Sequence, residues 1–492
     1  MKVLFFNPPF LPKFSREQRS PAVTKSGTYY YPKWLSYAAG VAIKEGHNVM
    51  LIDGPAESCP VKDIFEYVRE EDFDAIVCDT STPSIANDLS IIDTLQKQNP
   101  NLFIIAVGRH VSAMPEETFK MSKSLKFIAK GEYDYIIRDW LREIGHNRDF
   151  SNVKGCIWRD KTGAIHYNEP MPLIENLDEL PFVSSVYKKF LNTNDYFYGH
   201  SMHPLIVFDT SRGCPYQCAF CAYPQTFSGH KMRYRSPQNV VAEFKYVAEN
   251  FPEVKSIMLE DDTFIVDVNR TERLADELIK AGNRIPFDAN CRYDVKADVD
   301  FFEKLHKAGA RLFCVGFESG DDTVLQKMNK GESVKQAKPF VEKCRKAGIM
   351  IHGCFMVGNL NETRASMKKT LELALDIMPD TAQFFPIMVY PGTRAYEEAK
   401  SRGWLATEDF SKWITDEGLH NSVVNLPDIS HKELVAFCDY ARRKFYTRPR
   451  YLFYKLRQSL TNFNEFKRNL KGFKTLVKYL WRGSFGRGAE SG

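Results

Sequence analysis

Three predicted helices in the second half of the chain end in the same tripeptide, Lys-Ala-Gly, and a short apolar run follows each one. The tripeptides occupy residues 280–282, 307–309 and 346–348. A lysine in the last turn offsets the helix dipole, and glycine adopts the left-handed cap conformation that precedes the next strand. This repeated helix-to-strand junction predicts a repeating β/α structure.

Residues 201–420 contain six predicted strands separated by helical patterns. The strands are LIVFDTS, SIMLEDD, FDANCRY, LFCVGFE, IHGCFMVG and AQFFPIMVY. We therefore predict a partial (β/α)6 barrel of the TIM type, with six units rather than eight. Reactive groups in such barrels gather at the C-terminal ends of the strands.

Residues 1–145 alternate strand and helix signals in the same way. The apolar runs KVLFFN, NVMLID, AIVCDT, FIIAVG and LKFIAKG alternate with amphipathic segments. This predicts a doubly wound, Rossmann-like domain, so the fold class is α/β throughout. Residues 146–200 are rich in proline and acid without a clean period, and we expect a linker there. Residues 421–492 are expected to form a basic helical region.

Composition limits the partners. The 492-residue chain has a formal charge of only +5, so no nucleic-acid partner is expected. No stretch approaches 18 consecutive apolar residues, and the start, MKVLFFNPPF, has too short an apolar run for a signal peptide. We expect a cytoplasmic protein. Its eleven cysteines should then be mostly reduced, and clustered ones indicate metal or redox chemistry.

Three cysteines lie in the stretch SRGCPYQCAFCAYP, just after the first barrel strand. Cys214, Cys218 and Cys221 have the spacing C-x3-C-x2-C. Structural zinc usually takes four protein ligands, and no fourth cysteine or histidine stands at a suitable spacing. A cubane iron–sulfur cluster bound through three of its irons fits better, and Tyr216 and Phe220 would shield it from water.

This loop, placed after strand one of a six-unit barrel, resembles that of the radical S-adenosylmethionine (SAM) superfamily. The resemblance implies that Cys214, Cys218 and Cys221 hold a 4Fe–4S cluster whose free iron binds SAM. One electron, from a donor such as flavodoxin or ferredoxin, then cleaves SAM to a 5′-deoxyadenosyl radical.

Other barrel residues fit the same resemblance. Acidic and basic groups follow the second, third and fourth strands in the motifs LEDDTF, CRYD and GFESG. The resemblance implies SAM contacts from Glu260, Asp261, Asp262, Arg292, Glu318 and Ser319, beside Phe220. The alternative for the carboxylates is that they cap helices or carry solvated loop charges.

The first domain resembles the cobalamin-binding (B12-binding) domain of class B radical SAM enzymes. The motifs NPP and GEYD match that family, and VGRHVS stands in place of Gly-Gly-Pro-His. The resemblance implies cobalamin contacts from Thr80, Gly108, His110, Gly131 and Glu132. The chain lacks Asp-x-His-x-x-Gly, so no histidine on cobalt is expected from that motif. Alternatively, His110 is an ordinary loop histidine, or the domain binds nothing.

The resemblance implies methylation of an unactivated carbon in a lipid, a tetrapyrrole or a natural-product scaffold. Two alternatives stay open. One is a cobalamin-associated radical rearrangement or cyclisation, and the other is a non-catalytic iron–sulfur sensor.

The C-terminal region is strongly basic. Residues 442–482 contain thirteen lysines and arginines against one acid, Glu465, with aromatic residues between them. This pattern predicts peripheral contact with an anionic membrane surface, such as the inner face of the cell membrane. The alternative is a solvated helical cap over the barrel.

Overall fold

The computed structural model describes residues 1–57 and 59–461, and its first sheet has the predicted doubly wound form. Seven strands of the described chain form this sheet in the order β2-β1-β3-β4-β5-β6-β7. The strands are β1 (Lys2–Asn7), β2 (Asn48–Asp53), β3 (Ala75–Asp79), β4 (Phe103–Val107), β5 (Phe127–Ala129), β6 (Cys156–Arg159) and β7 (Ile165–Tyr167). The first five are parallel, and β6 and β7 are antiparallel additions.

Helices cover both faces of this sheet. They are α1 (Lys33–Lys44), α2 (Gly54–Glu57), α3 (Val61–Glu71), α4 (Ile85–Gln98), α5 (Arg109–Ala113), α6 (Pro115–Met121) and α7 (Asp134–Ile144). Apolar residues of α1 and α7 pack on one face, and those of α3 and α4 pack on the other. The strands are buried on both sides, which explains why they read as continuous apolar runs.

The expected linker at 146–200 needs correction, because part of it belongs to the first sheet. Strand β6 pairs with β5, β7 pairs with β6, and a helix, α8 (Val183–Phe190), follows. Strands of three or four residues are too short to show a period in the sequence. Their pairing with the edge of the parallel sheet supplies the order that the local pattern lacks.

The second sheet is the predicted partial barrel. Its region contains β8 (Leu205–Phe208), β9 (Ser211–Arg212), β10 (Arg233–Tyr234), β11 (Ser256–Leu259), β12 (Phe287–Cys291), β13 (Ala310–Glu318), β14 (Met350–Val357) and β15 (Thr381–Pro386). Six of these are parallel in the order β15-β14-β13-β12-β11-β8, while β9 and β10 form a separate antiparallel pair. Within the described chain β15 and β8 do not pair, so the barrel is open along one side.

Among the described residues, seven helices follow or join the barrel strands, and three of them end as the Lys-Ala-Gly pattern predicts. The seven helices are α9 (Pro237–Asn250), α10 (Val268–Lys280), α11 (Val299–Ala308), α12 (Asp322–Lys327), α13 (Val334–Lys346), α14 (Arg364–Ile377) and α15 (Arg394–Ser401). Gly282, Gly309 and Gly348 follow α10, α11 and α13 with φ values of 67°, 113° and 85°. The glycine caps are confirmed.

Two more helices form the described part of the C-terminal region, α16 (His431–Tyr446) and α17 (Pro449–Thr461). Helix α16 packs on β15, with the rings of Phe445 and Phe384 6.2 Å apart. The basic and aromatic pattern beyond residue 461 lies outside the described residues. Among the described helices, none combines the length and the apolar character needed to cross a membrane.

Candidate active site

The cysteine loop projects from a short antiparallel ribbon at the barrel mouth. Strands β9 and β10 pair at its two ends, so residues 213–232 form a closed loop. Gly213 opens the loop with φ of 93°, and a Cβ atom there would lie 2.2 Å from the carbonyl oxygen of Lys231. Only glycine allows this approach.

The loop is also bonded across the barrel mouth. The amide of Ala219 donates to the carbonyl of Met328 at 2.8 Å, and its own carbonyl accepts from the amide of Ala395 at 3.0 Å. The side chain of Gln225 donates to the carbonyls of Cys218 and Cys221 at 3.0 and 2.7 Å. These bonds fix the backbone around Cys218 and Cys221, and the Cys214 amide donates to the carbonyl of Gly229 at 3.2 Å.

Cys214 and Cys221 of the loop are half-buried, and Cys218 is buried. Burial raises the pKa of Cys214 to about 12 and that of Cys221 to about 11. Asp262 and the other loop sulfurs raise both pKa values further, whereas Arg19 lowers that of Cys221. The mutual electrostatic influence of these sulfurs indicates that they lie in one neighbourhood, and three cysteine sulfurs are the donor set that an iron–sulfur cluster uses.

A buried ion-pair network joins the loop to the first domain. Arg212 donates to Glu132 at 2.7 Å and to Asp134 at 2.8 Å, and Arg233 donates to the second oxygen of Glu132 at 2.7 Å. Burial alone would raise the pKa of Glu132, but the two guanidinium groups outweigh it and lower the pKa. Glu132 therefore positions the cysteine loop, and any cobalamin contact from it stays a prediction.

The three acids after β11 have different surroundings. Asp261 is fully buried and accepts from the amides of Thr210 and Ser211 at 2.6 and 3.0 Å and from the Thr210 hydroxyl at 2.6 Å. Asp262 accepts from the hydroxyl of Ser228 in the cysteine loop at 2.8 Å. Both carboxylates thus hold the barrel mouth together.

Glu260 differs from its two neighbours. Its Oε2 atom is buried and has no hydrogen-bond partner among the described residues. Lys33 lies close by, with its Nζ 2.6 Å from Asp209 and 3.5 Å from the Glu260 carbonyl. A buried carboxylate oxygen without a partner is costly, so this atom is suited to receive an ammonium or hydroxyl group.

Glu318 offers a second acceptor of this kind at the end of β13. Its Oε1 atom lies 3.4 Å from Nζ of Lys330, while Oε2 is buried and has no partner among the described residues. The backbone of Glu318 has φ of 59°, and Gly316 leaves the space in which the carboxylate lies. Left-handed backbone at a non-glycine residue is strained, as is common at functional sites.

The remaining barrel residues predicted from sequence lie nearby. Arg292 pairs with Asp294 at 2.8 Å and stacks 3.5 Å above the ring of Tyr216, which fixes the loop from a third side. The buried Ser319 hydroxyl lies 3.3 Å from that of Thr370 in α14. Phe220 packs against the barrel core. The structure thus brings all these residues to one end of the barrel.

The predicted cobalamin contacts collect at the carboxyl edge of the first sheet. Gly108 has φ of 111°, and a Cβ atom there would lie 2.5 Å from the Thr80 carbonyl. The Thr80 hydroxyl donates to the carbonyl of Val107, and the Gly131 amide donates to Ser112. His110 is buried, with Nδ1 3.2 Å from the Thr82 hydroxyl and Nε2 without a partner among the described residues.

Arg109 is one of the residues at which the chain departs from the Gly-Gly-Pro-His motif of the family. In the structure its guanidinium donates to the carbonyls of Arg16, Gln18 and Arg19, and it stacks 4.4 Å from the ring of Tyr223. Arg19 lies 5.2 Å from the same ring. Tyr223 follows Cys221 by two residues, so this stack places the first domain directly against the cysteine loop.

Comparison with known families agrees with this geometry. Residues 209–374 match the radical SAM superfamily, and residues 19–136 match the B12 binding domain. The chain contains a radical SAM domain and a B12-binding domain. The predicted family, α/β fold class and domain order are confirmed. The cofactors of these domains are a 4Fe–4S cluster with SAM, and cobalamin.

Several known proteins are similar to this protein over most of its length. An uncharacterized methyltransferase of Pyrococcus horikoshii is 28% identical, covering 87% of this chain and 90% of its own. An anaerobic magnesium-protoporphyrin IX monomethyl ester cyclase of Rubrivivax gelatinosus is 23% identical, covering 84% and 72%. The solved radical SAM methyltransferase TsrM of Kitasatospora setae superposes with a TM-score of 0.68 at 17% identity, covering 89% and 88%. The superposition on TsrM shows that the two proteins share a fold.

The residues present fit all three cofactors of the family. The clustered thiols suit the iron–sulfur cluster, and the unpartnered oxygens of Glu260 and Glu318 suit the polar groups of SAM. The close backbone approach at Gly108 and the buried Nε2 of His110 suit a ligand at the sheet edge of the B12-binding domain. Sequence reasoning missed Arg19, Arg212 and Lys330, because their roles come from contacts between distant segments.

Proposed function

We propose that this enzyme transfers a methyl group to an unactivated carbon of a small-molecule substrate. The observation that carries the proposal is the joint burial of Glu132, Arg212 and Arg233, which ties the B12-binding domain to the cysteine loop. Two cofactors must be adjacent to act on one substrate, and this contact brings their domains together. The Pyrococcus relative, named a methyltransferase, supports the same reaction.

We assign the cluster to Cys214, Cys218 and Cys221. When bound, the cluster supplies the electron that cleaves SAM, and cobalamin supplies the methyl carrier. The chain fixes the loop backbone, partly shields the thiols from water and places the Arg19 cation beside Cys221. Arg292, stacked on Tyr216, restricts the outer part of the loop.

Polar contacts to SAM are assigned to Glu260 and Glu318, since each has a buried oxygen that lacks a partner among the described residues. Lys33 and Lys330 lie near these two carboxylates and offset part of their charge. Asp261 is not assigned a contact, because both of its oxygens already accept hydrogen bonds. Cobalamin contacts are assigned to Thr80, Gly108, His110 and Gly131 as a group.

The products derived from SAM distinguish methyl transfer from cyclisation, the reaction for which the Rubrivivax relative is named. The anaerobically reconstituted full chain is incubated with SAM, cobalamin and dithionite, and products are quantified by mass spectrometry. Methyl transfer requires both S-adenosylhomocysteine, from loss of the methyl group, and 5′-deoxyadenosine, from reductive cleavage. Formation of 5′-deoxyadenosine alone, in every cobalamin-containing sample, would favour cyclisation or rearrangement.

A matched pair of cysteine variants tests the cluster assignment. C218A should lose the visible absorbance of the cluster and the 5′-deoxyadenosine product. C438A removes a buried thiol of α16 and should retain both. A C218A protein that still cleaves SAM would refute the assignment, and loss of all product in both variants and the wild type would favour a sensor.

We infer that α17 lies on an anionic membrane surface. Leu452, Phe453, Leu456 and Leu460 are 48%, 70%, 59% and 80% exposed. Basic residues flank them, including Arg450 and Lys455 in the same helix. An apolar helix face bordered by positive charge is typical of interfacial helices.

Co-sedimentation with vesicles tests this contact. The full chain should bind phosphatidylglycerol vesicles more strongly than phosphatidylcholine vesicles, and F453E should reduce that binding. M121E, at a 47% exposed residue of the B12-binding domain, is the matched control and should bind normally. Equal sedimentation of F453E and wild type would refute the contact.

A further inference from the structure

Two cysteines and a histidine lie together on the barrel strands, apart from the cysteine loop. Cys314 belongs to β13, and His352 and Cys354 belong to β14. One potential ligand atom from each residue lies within 4.8 Å of those from the other two, and the two Sγ atoms are 3.7 Å apart. The function proposed above uses none of these three side chains.

The three side chains face the barrel interior. Phe313 packs against Phe302 of α11, on the outer, helix-covered side of the sheet. Successive residues of a strand point to opposite faces, so Cys314 points inward. His352 is the register partner of Cys314, and Cys354 follows two positions later, so both share its face.

The separation of the sulfur atoms matches metal coordination. Tetrahedral zinc with Zn–S bonds of about 2.3 Å holds two thiolate sulfurs about 3.8 Å apart. The observed Sγ–Sγ distance is 3.7 Å. The pair therefore needs almost no movement to bind one cation between its sulfurs.

A disulfide fits this pair less well. Cys314 lies opposite His352, so Cys354 is its diagonal neighbour across the two strands. Strand spacing and rise give such a diagonal a Cα–Cα distance of about 8 Å. Disulfides usually require about 4.4–6.8 Å, so bridging would require the strands to move.

A hydrogen bond and a ring contact hold the imidazole of His352 in place. Its Nδ1 atom lies 2.7 Å from the Thr381 hydroxyl on β15, and its ring stacks on His200 at 4.8 Å. Hydrogen bonds of this kind fix the ring plane and the tautomer of a ligating imidazole.

We propose that Cys314, His352 and Cys354 bind one Zn²⁺ ion inside the barrel. Two thiols and one imidazole form a ligand set that zinc favours. Binding replaces the two thiol protons, so one Zn²⁺ enters as two protons leave and no electron is exchanged. Three protein ligands leave a fourth position for water or a substrate heteroatom on the inner side of the sheet, as in catalytic zinc sites.

The location gives this site a role distinct from that of the cluster. Cys354 lies within electrostatic reach of Glu318, one of the two assigned SAM contacts, and of Lys330. Tyr30, from the segment before α1, lies close to both cysteines. A zinc ion here would hold a substrate oxygen, nitrogen or sulfur atom at a fixed place beside the site of SAM cleavage.

Metal analysis of the full-length, reconstituted protein tests the proposal. Wild type, offered Zn²⁺ during reconstitution, should contain about one zinc per chain in addition to cluster iron. C314S and H352A should each lose most of this zinc while keeping the iron and the cluster absorbance. C344S, at a buried cysteine of α13, is the matched control and should keep both metals.

X-ray absorption at the zinc edge then identifies the ligands. The proposal requires two sulfur neighbours at about 2.3 Å and at least one nitrogen at about 2.0–2.1 Å. Three sulfur neighbours would place the zinc in the cysteine loop and overturn the proposal. So would wild type without zinc, or zinc retained in both C314S and H352A. These readouts do not depend on the reaction that the enzyme catalyses.

Discussion

Replacing Gly213 by alanine tests how closely the two ends of the cysteine loop must approach each other. Its φ of 93° costs alanine about 1–2 kcal/mol. The new Cβ would lie 2.2 Å from the Lys231 carbonyl oxygen, so the β9–β10 ribbon must also open. Overpacking of this kind adds about 1–3 kcal/mol, and the total is about 2–5 kcal/mol.

Gly282 provides a matched control for this substitution. It also has positive φ, at 67°, but no neighbouring atom lies within 4 Å of its would-be Cβ. G282A should therefore show only the backbone cost of about 1–2 kcal/mol. For a difference of about 2 kcal/mol between the two variants, the barrel of G213A should melt about 4–8 °C lower than that of G282A.

The assay combines thermal unfolding of the cluster-free full chain, followed by circular dichroism, with iron content after reconstitution. We expect G213A to bind less iron than G282A, because opening the ribbon moves the backbone that carries Cys214. If the two variants melt at the same temperature and G213A retains wild-type iron, the ribbon does not constrain the loop as argued.

Three further predictions address the surrounding residues. E132Q should lower the free energy of unfolding, measured in urea, by about 3 kcal/mol, because it leaves buried arginine charge unpaired. E175Q removes an exposed ion pair with Lys231 and should lower it by under about 1 kcal/mol. E260Q should weaken SAM binding in equilibrium dialysis with little change in stability. D261N should do the reverse and lose about 1–3 kcal/mol. Burial lowers the pKa of His110 from 6.5 to about 3, so the wild type should lose stability as the pH falls below 6.5, when the unfolded chain gains a proton that the folded chain does not. In H110Q the unfolding free energy should fall less steeply with decreasing pH, by up to about 1.4 kcal/mol per pH unit. An unchanged slope between pH 7 and 5 would show that His110 does not carry this pH dependence.

Local patterns in the sequence predicted most of the fold. The Lys-Ala-Gly helix ends and the apolar strands were readable because capping and burial act over a few neighbouring residues. Strands β6 and β7 were missed, since each has only three or four residues and depends on an edge formed by β5. The pairing of these strands with a sheet edge formed elsewhere in the chain cannot be recognised from a few neighbouring residues.

Some residues of the candidate site could likewise be predicted from the sequence, and others could not. The spacing of Cys214, Cys218 and Cys221 predicts a cluster loop from the sequence alone, because all three candidate ligands stand in one short stretch. The pattern could not separate Glu260 from Asp261, since both are acids in one loop. Only the structure shows that Asp261 is satisfied by hydrogen bonds and that Glu260 keeps a buried acceptor without a partner among the described residues.

The sequence by itself determined two α/β units, their order and the cysteine triad, because these depend on periodicity and spacing. Tertiary structure alone decided that Glu132 binds Arg212 and Arg233, and that Cys314, His352 and Cys354 share one inner face. The physical reason is that buried charges and metal ligands find partners through space. Their separation along the chain, 80 residues for Arg212 and Glu132, carries no information about that distance.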